Sequence, residues 1–171
     1  GRLDYAEELV AAASRAGADV IKFQSYKAKN LTTRDAPRFW NWDGERKRDG
    51  SQFDSYSNLD SFGEQEHAEL KSLCDSYGIE FMSTPFDSGA VDMLASVGAQ
   101  GFKVASCDIT NFPLLKKIAS KGLPVVLSTG ASTMEEISDA VAALENGGVS
   151  AIAILHCTLT YPTPVDDLNL L

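Results

Sequence analysis

The chain of 171 residues is short of several residue types that mark protein classes. It has three cysteines, Cys74, Cys107 and Cys157, an odd number, widely spaced and with no CxxC pair. That argues against a disulfide framework, and reduced thiols in a cytoplasmic protein are the simplest reading. No run approaches the roughly 18–20 apolar residues of a membrane span. The start, Gly1-Arg2-Leu3-Asp4-Tyr5, lacks the apolar core of a signal peptide. It reads as the opening of an amphipathic helix, so further sequence is expected upstream. Positive charge is scarce: 15 Lys+Arg against 24 Asp+Glu leave a net charge of −9. This balance disfavours nucleic acid or an anionic membrane as partner, because both need a basic surface. A small anionic substrate stays open, since a few buried cations can hold one. No Ser-His-Asp order, HExxH or glycine-rich dinucleotide fingerprint occurs, and Ser128-Thr129-Gly130 is no P-loop because no GK[ST] follows.

What the chain does have is a repeating unit. The 44% hydrophobic content suits a globular core of a single domain. Ala6, Leu9, Val10 and Ala13 fall on one helical face, Gly17 ends that helix, and the strand Val20-Ile21-Lys22-Phe23-Gln24 follows. Helices over 63–77, 88–97, 112–121 and 134–146 are each predicted to stop at glycine before a short apolar strand. Thr133 with Glu136 forms a capping box for the last of them. The pattern is (αβ)₅ with later strands roughly 23–27 residues apart, so the strands pair in parallel. Two closures fit: an open doubly wound sheet, or part of a (β/α)₈ barrel, which needs about 250 residues. One connection is long. Residues 26–62 carry Phe39, Trp40, Trp42, Phe53 and Tyr56, a composition that favours order. It follows a strand, on the face where α/β proteins bind ligands.

Strand parity places Lys22 and Gln24 on one face and Ile21 and Phe23 on the other; Lys103 likewise opposes Phe102 and Val104. Two lysines on a sheet face that should be covered either build an anion site or reach out from strand ends and pair with a carboxylate such as Glu80. Hydroxyls gather at the ends of four consecutive strands: Ser83-Thr84, Ser106, Ser128-Thr129 and Thr158 with Tyr161. One such turn usually only caps a helix. Four of them, with two lysines between, make an anion pocket the better account. His156, at a strand end, is expected to be a hydrogen-bonded core residue rather than a metal ligand. His67 lies in an amphipathic helix with no visible partner.

Taken together, Ala18-Asp19-Val20-Ile21-Lys22-Phe23-Gln24, Phe81-Met82-Ser83-Thr84-Pro85-Phe86-Asp87, Phe102-Lys103-Val104-Ala105-Ser106-Cys107-Asp108, Leu127-Ser128-Thr129-Gly130 and Leu155-His156-Cys157-Thr158 with Tyr161-Pro162 resemble the N-acetylneuraminate (sialic acid) synthase family, which includes legionaminic and pseudaminic acid synthases. The resemblance covers nearly the whole chain and implies an incomplete (β/α)₈ TIM barrel of about five parallel strands, the second to the sixth. The implied activity condenses phosphoenolpyruvate (PEP) with N-acetylmannosamine or a related N-acyl sugar, releasing phosphate, in polysaccharide biosynthesis. Lys22, Thr84, Lys103, Ser106 and Ser128 match positions that hold PEP; Gln24, Asp108 and Tyr161 match positions near the sugar. Lys22, Lys103 and Asp108 are the catalytic candidates. The resemblance also implies a divalent metal, Mn or Mg, with ligands outside this chain, a homodimer, and a C-terminal antifreeze-like domain that is not present. Leu159 and Thr160 stand where the family often has an Asn before the Tyr-Pro. The chain is therefore expected to be an internal fragment, inactive alone, with two bare sheet edges. The alternatives are a barrel aldolase using Lys22 or Lys103 as a Schiff-base nucleophile, or a non-catalytic fragment that only binds anions.

Overall fold

A computed structural model describes residues 2–38 and 50–170. Phe39, Trp40 and Trp42 of the long connection lie outside the described residues. Helix α1 (Leu3–Arg15) leads into β1 (Val20–Ser25), followed by the short helices α2 (Ala28–Leu31) and α3 (Gln52–Ser57). Then helices and strands alternate: α4 (Glu64–Ser76), β2 (Glu80–Pro85), α5 (Ser88–Ser96), β3 (Phe102–Val104), α6 (Phe112–Ala119), β4 (Val125–Ser128), α7 (Met134–Asn146) and β5 (Ile152–Leu155).

All five strands are parallel, and their spatial order is their chain order, β1-β2-β3-β4-β5. A doubly wound sheet reverses its order at a switch point; this one never does, so every crossover runs the same way and the sheet is part of a barrel. The barrel is incomplete, with β1 and β5 as its two edges.

The helices line up in the same sequence outside it, α1 against α4, then α5, α6 and α7. The reason lies in the alternation of each strand. Phe23, Phe81, Phe102, Val104, Val125 and Leu127 point outward into the helix layer, where Val10, Leu70, Val91, Leu94, Leu115, Ile118 and Leu144 meet them. Most of these side chains are fully buried. Burying one large apolar side chain contributes about 1.5–3 kcal/mol, so this layer dominates stability. Cys74 belongs to it, and burial pushes its thiol up to about 11, which leaves it inert.

Local signals behave as their chemistry requires. Gly78 sits at φ 65° between α4 and β2, a conformation that a Cβ would strain. Gly147 allows α7 to close on α6: a Cβ there would lie 2.3 Å from that of Ala119. The Thr133–Glu136 capping box forms in full. Two expectations change. Leu9 is 62% exposed, because the buried stripe of α1 runs through Ala6 and Val10 instead. His156 is not in the core. It is exposed, with no α-helix after β5 among the described residues, although its Nε2 does bond the Leu168 carbonyl at 2.7 Å.

Candidate functional site

The inner face of the sheet is built differently from the outer one. Along β1, Val20, Lys22 and Gln24 are exposed while Ile21 and Phe23 are half-buried. Register then sets neighbours. Gln24 pairs with Thr84, and Ser83 pairs with Phe102, which puts Thr84 beside Lys103 on the inner face. Lys103 pairs with Val126, two residues before Ser128. One rim therefore brings together Lys22, Gln24, Thr84, Lys103 and Ser128.

Lys103 is the unusual member, at 8% exposure. Its Nζ donates to the Val104 carbonyl and to Ser128 Oγ, both at 2.6 Å. Among the described residues no carboxylate pairs with either lysine, so the alternative of a Glu80 partner is not what holds them. Burial lowers the pKa of the Lys103 ammonium, and the charge of Lys22 lowers it further. A buried cation with two of its three N–H groups spent on neutral oxygens, and a second cation near enough to repel it, has an obvious complement. An anion on the inner face satisfies both.

The remaining candidates divide. Ser106 follows β3 in a 3₁₀ turn, Ser106–Asp108, at the same end of the sheet. Asp108 is half-buried and its Oδ1 accepts from Asn111 Nδ2 at 3.1 Å, next to the cap of α6. Tyr161 stands apart: it is 90% exposed, on the segment after β5. Cys157, which sequence patterns leave without a role, approaches the site, with Sγ 3.5 Å from Ser128 Oγ.

Sequence reasoning missed His67. It is buried on α4 and both ring nitrogens are engaged. Nδ1 lies 2.7 Å from the Gly63 carbonyl, which can only accept, so Nδ1 carries the proton. Nε2 then accepts from Ser25 Oγ at 2.8 Å, and Ser25 accepts from Ser83 Oγ at 2.7 Å. Burial lowers the His67 pKa, in keeping with the neutral ring. This one-way chain clamps the ends of β1 and β2 to the start of α4, behind Gln24 and Thr84. The signal was present in the parity of Ser25 and Ser83, both outward-facing polar residues in strands otherwise apolar on that side.

Among the described residues no group of three His, Cys, Asp or Glu side chains comes together to hold a metal ion. The described residues thus do not fit the divalent metal implied by the family resemblance.

A curved parallel sheet with cations and hydroxyls gathered at one rim of its strand ends defines an incomplete α/β barrel. The NeuB family model matches residues 9–171, and the chain belongs to that family. It is 41% identical over 170 residues to an uncharacterized protein of Methanocaldococcus jannaschii, covering 99% of this chain and 46% of that one. It is 37% identical to the N,N'-diacetyllegionaminic acid synthase of Legionella pneumophila, covering 99% of this chain and 49% of the synthase. Among solved structures it superimposes on an N-acetylneuraminic acid synthetase of Leptospira borgpetersenii with a TM-score of 0.81 and 33% identity, over 98% of this chain and 53% of that one. The chain spans about half the length of the curated relatives it matches.

Proposed function

We propose that this chain supplies the PEP-binding wall of a sialic acid-type synthase, which condenses PEP with an N-acyl amino sugar and releases phosphate. The observation that carries the reading is Lys103, buried, without a carboxylate, bonded to Ser128 and facing Lys22 on the open side of the sheet. PEP carries roughly three negative charges, and two ammonium groups with several hydroxyls orient such a ligand. Lys22, Thr84, Lys103, Ser106 and Ser128 hold it. Gln24, Asp108 and Tyr161 serve the sugar, Tyr161 from the exposed segment after β5 only once the rest of the barrel encloses it.

In this reading C3 of PEP attacks the aldehyde carbon of the sugar, water adds at C2, and the tetrahedral intermediate breaks its C–O bond to release phosphate. The steps assigned to this chain run through its own lysines and hydroxyls: they fix the phosphate and carboxylate and stabilise the charge that moves to the departing phosphate. The ligands of the family's metal lie in the half of the protein beyond this chain. Three free cysteines fit a cytoplasmic enzyme, and a homodimer follows the family pattern. No described helix is long and apolar enough to cross a membrane.

The test is calorimetric titration of the chain with PEP and with inorganic phosphate. Binding is expected, and Lys22→Ala and Lys103→Ala should each weaken it at least tenfold. Equal binding by all three proteins would overturn the pocket. Borohydride trapping with pyruvate should give no adduct; a trapped lysine would point to Schiff-base chemistry instead.

A further inference from the structure

Ser25 and His67 stand as a hydroxyl and an imidazole 2.8 Å apart, the arrangement that elsewhere makes a nucleophile and its base. Burial excludes that role here. Ser25 is 1% exposed, His67 3% and Ser83 0%, so no substrate atom reaches the serine. What the three share is position. Ser25 follows Gln24 at the end of β1, and Ser83 precedes Thr84 in β2, where Gln24 and Thr84 are register partners. Side chains alternate along a strand, so the two buried serines back directly onto the two rim residues.

The order of donors makes this chain directional. With the ring neutral, Ser83 donates to Ser25, Ser25 to His67 Nε2, and His67 Nδ1 to the Gly63 carbonyl, and every proton has an acceptor. A protonated ring carries N–H groups on both nitrogens. Nε2 must then donate to Ser25, Ser25 must turn to Ser83, and the Ser83 hydroxyl proton is left over. Among the described residues Ser83 Oγ has no hydrogen-bond partner besides Ser25. A fully buried donor without an acceptor is costly, and the ends of β1 and β2 must shift to relieve it.

A proton has a route to the ring, because His67 lines a cavity of about 230 Å³ between the N-termini of α4 and α5. The charged groups around it are Lys27 and Lys29 at α2, Asp60 before α4, Glu64 and Glu66 on α4, and Asp87 at the head of α5. Burial and Lys27 hold the ring's pKa below the ordinary value, against the opposing pull of the Gly63 carbonyl and Glu66.

We propose that His67 is a positioning residue for the anion site: the neutral ring holds Gln24 and Thr84 at the rim in the geometry that receives the anion, and protonation of the ring releases them. The inference rests on the anion-pocket reading of Lys22, Thr84 and Lys103 and adds a control to it. The sign of the effect is diagnostic. On acidification the lysines, the carboxylates and the new charge on His67 itself can only favour an anion. Weaker anion binding at low pH therefore reports the hydrogen-bond chain and nothing electrostatic.

The experiment is nuclear magnetic resonance titration of the chain with sulfate, whose charge does not change between pH 7.5 and pH 5.0, while the His67 ring is followed through its own signals. Sulfate affinity should fall about fivefold as the ring gains its proton, the worth of one hydrogen bond. His67→Gln, whose amide can still donate to Gly63 and accept from Ser25, should match the unaltered chain at pH 7.5 and keep that affinity at pH 5.0. Ser83→Ala removes the stranded hydroxyl and should also lose the pH response. Without sulfate, the amide signals of Gln24 and Thr84 should move with the His67 titration and stand still in both variants. An affinity that is flat or rises on acidification, an equal fall in His67→Gln, or a ring that stays neutral down to pH 5.0 would overturn the proposal. If sulfate never binds while the two amides still follow the ring, the anion pocket falls and the coupling of ring to rim stands.

Discussion

Phe102 and Lys103 are adjacent in β3 and almost equally hidden, at 0% and 8% exposure, yet they point to opposite sides of the sheet. Phe102 faces a dry layer of helices, where the only requirement is to fill space. Lys103 faces an open concavity, where its charge is costly to bury and is kept by two neutral oxygens and an expected ligand. Stability is concentrated on the first side and the proposed binding on the second. Substitutions on each side should therefore fail in different ways.

The largest effect should come from Phe102→Ala, which leaves a cavity in the helix-facing layer at a cost of about 3–5 kcal/mol. Urea melts should show the loss, and the surviving folded fraction should bind phosphate with unchanged affinity. Lys103→Met should do the reverse. Phosphate affinity should fall about 100-fold, or ~2.7 kcal/mol. The melting temperature should hold or rise, because a desolvated charge is replaced by an apolar chain of similar length. A marked drop in stability with binding retained would abolish the distinction between the faces.

The smallest effect concerns His67. Its folded pKa lies below the ordinary value of 6.5, so the unfolded chain takes up the proton first as pH falls. The contribution of the neutral ring is therefore complete above about pH 6.5 and is lost as pH drops through the folded value. Protonation ends its acceptance from Ser25, a loss of about 1 kcal/mol. Comparing urea melts at pH 7.5 and pH 5.0, the unaltered chain should lose more stability than His67→Gln, which has no such titration. Equal losses would show that the Ser25–His67 bond contributes nothing.

Much of this was legible from residue order. The period-two alternation of Lys22-Phe23-Gln24 and Phe102-Lys103-Val104 assigns sides without coordinates, because strand geometry leaves no other choice. The glycines that end each helix mark where strands begin. Two closures of the sheet stayed open until strand order was known, since parallel pairing alone does not say on which edge a new strand is added. Buried polar chains were harder to see. Ser25 is 42 residues from His67 and 58 from Ser83; strand parity turns both serines toward the helix layer but does not say which helix residue they meet. His156 was misplaced for a related reason: burial depends on what packs beyond β5, and a strand's own residues do not encode that. Tyr161 and the Leu159-Thr160 pair that replaces the family's Asn sit in the same exposed stretch, where motif matching says what a residue resembles and not where it rests.

The agreement between strand order and chain order has a consequence for synthesis. As the polypeptide leaves the ribosome, each new strand finds its neighbour already in place, so the sheet can be laid down by accretion without waiting for the far end. The slow step is the first one, since β1 must wait for β2 across the long 26–62 segment. Nascent chains arrested after residue 122 should already protect the β1–β2 amides from hydrogen exchange, whereas chains arrested after residue 62 should not.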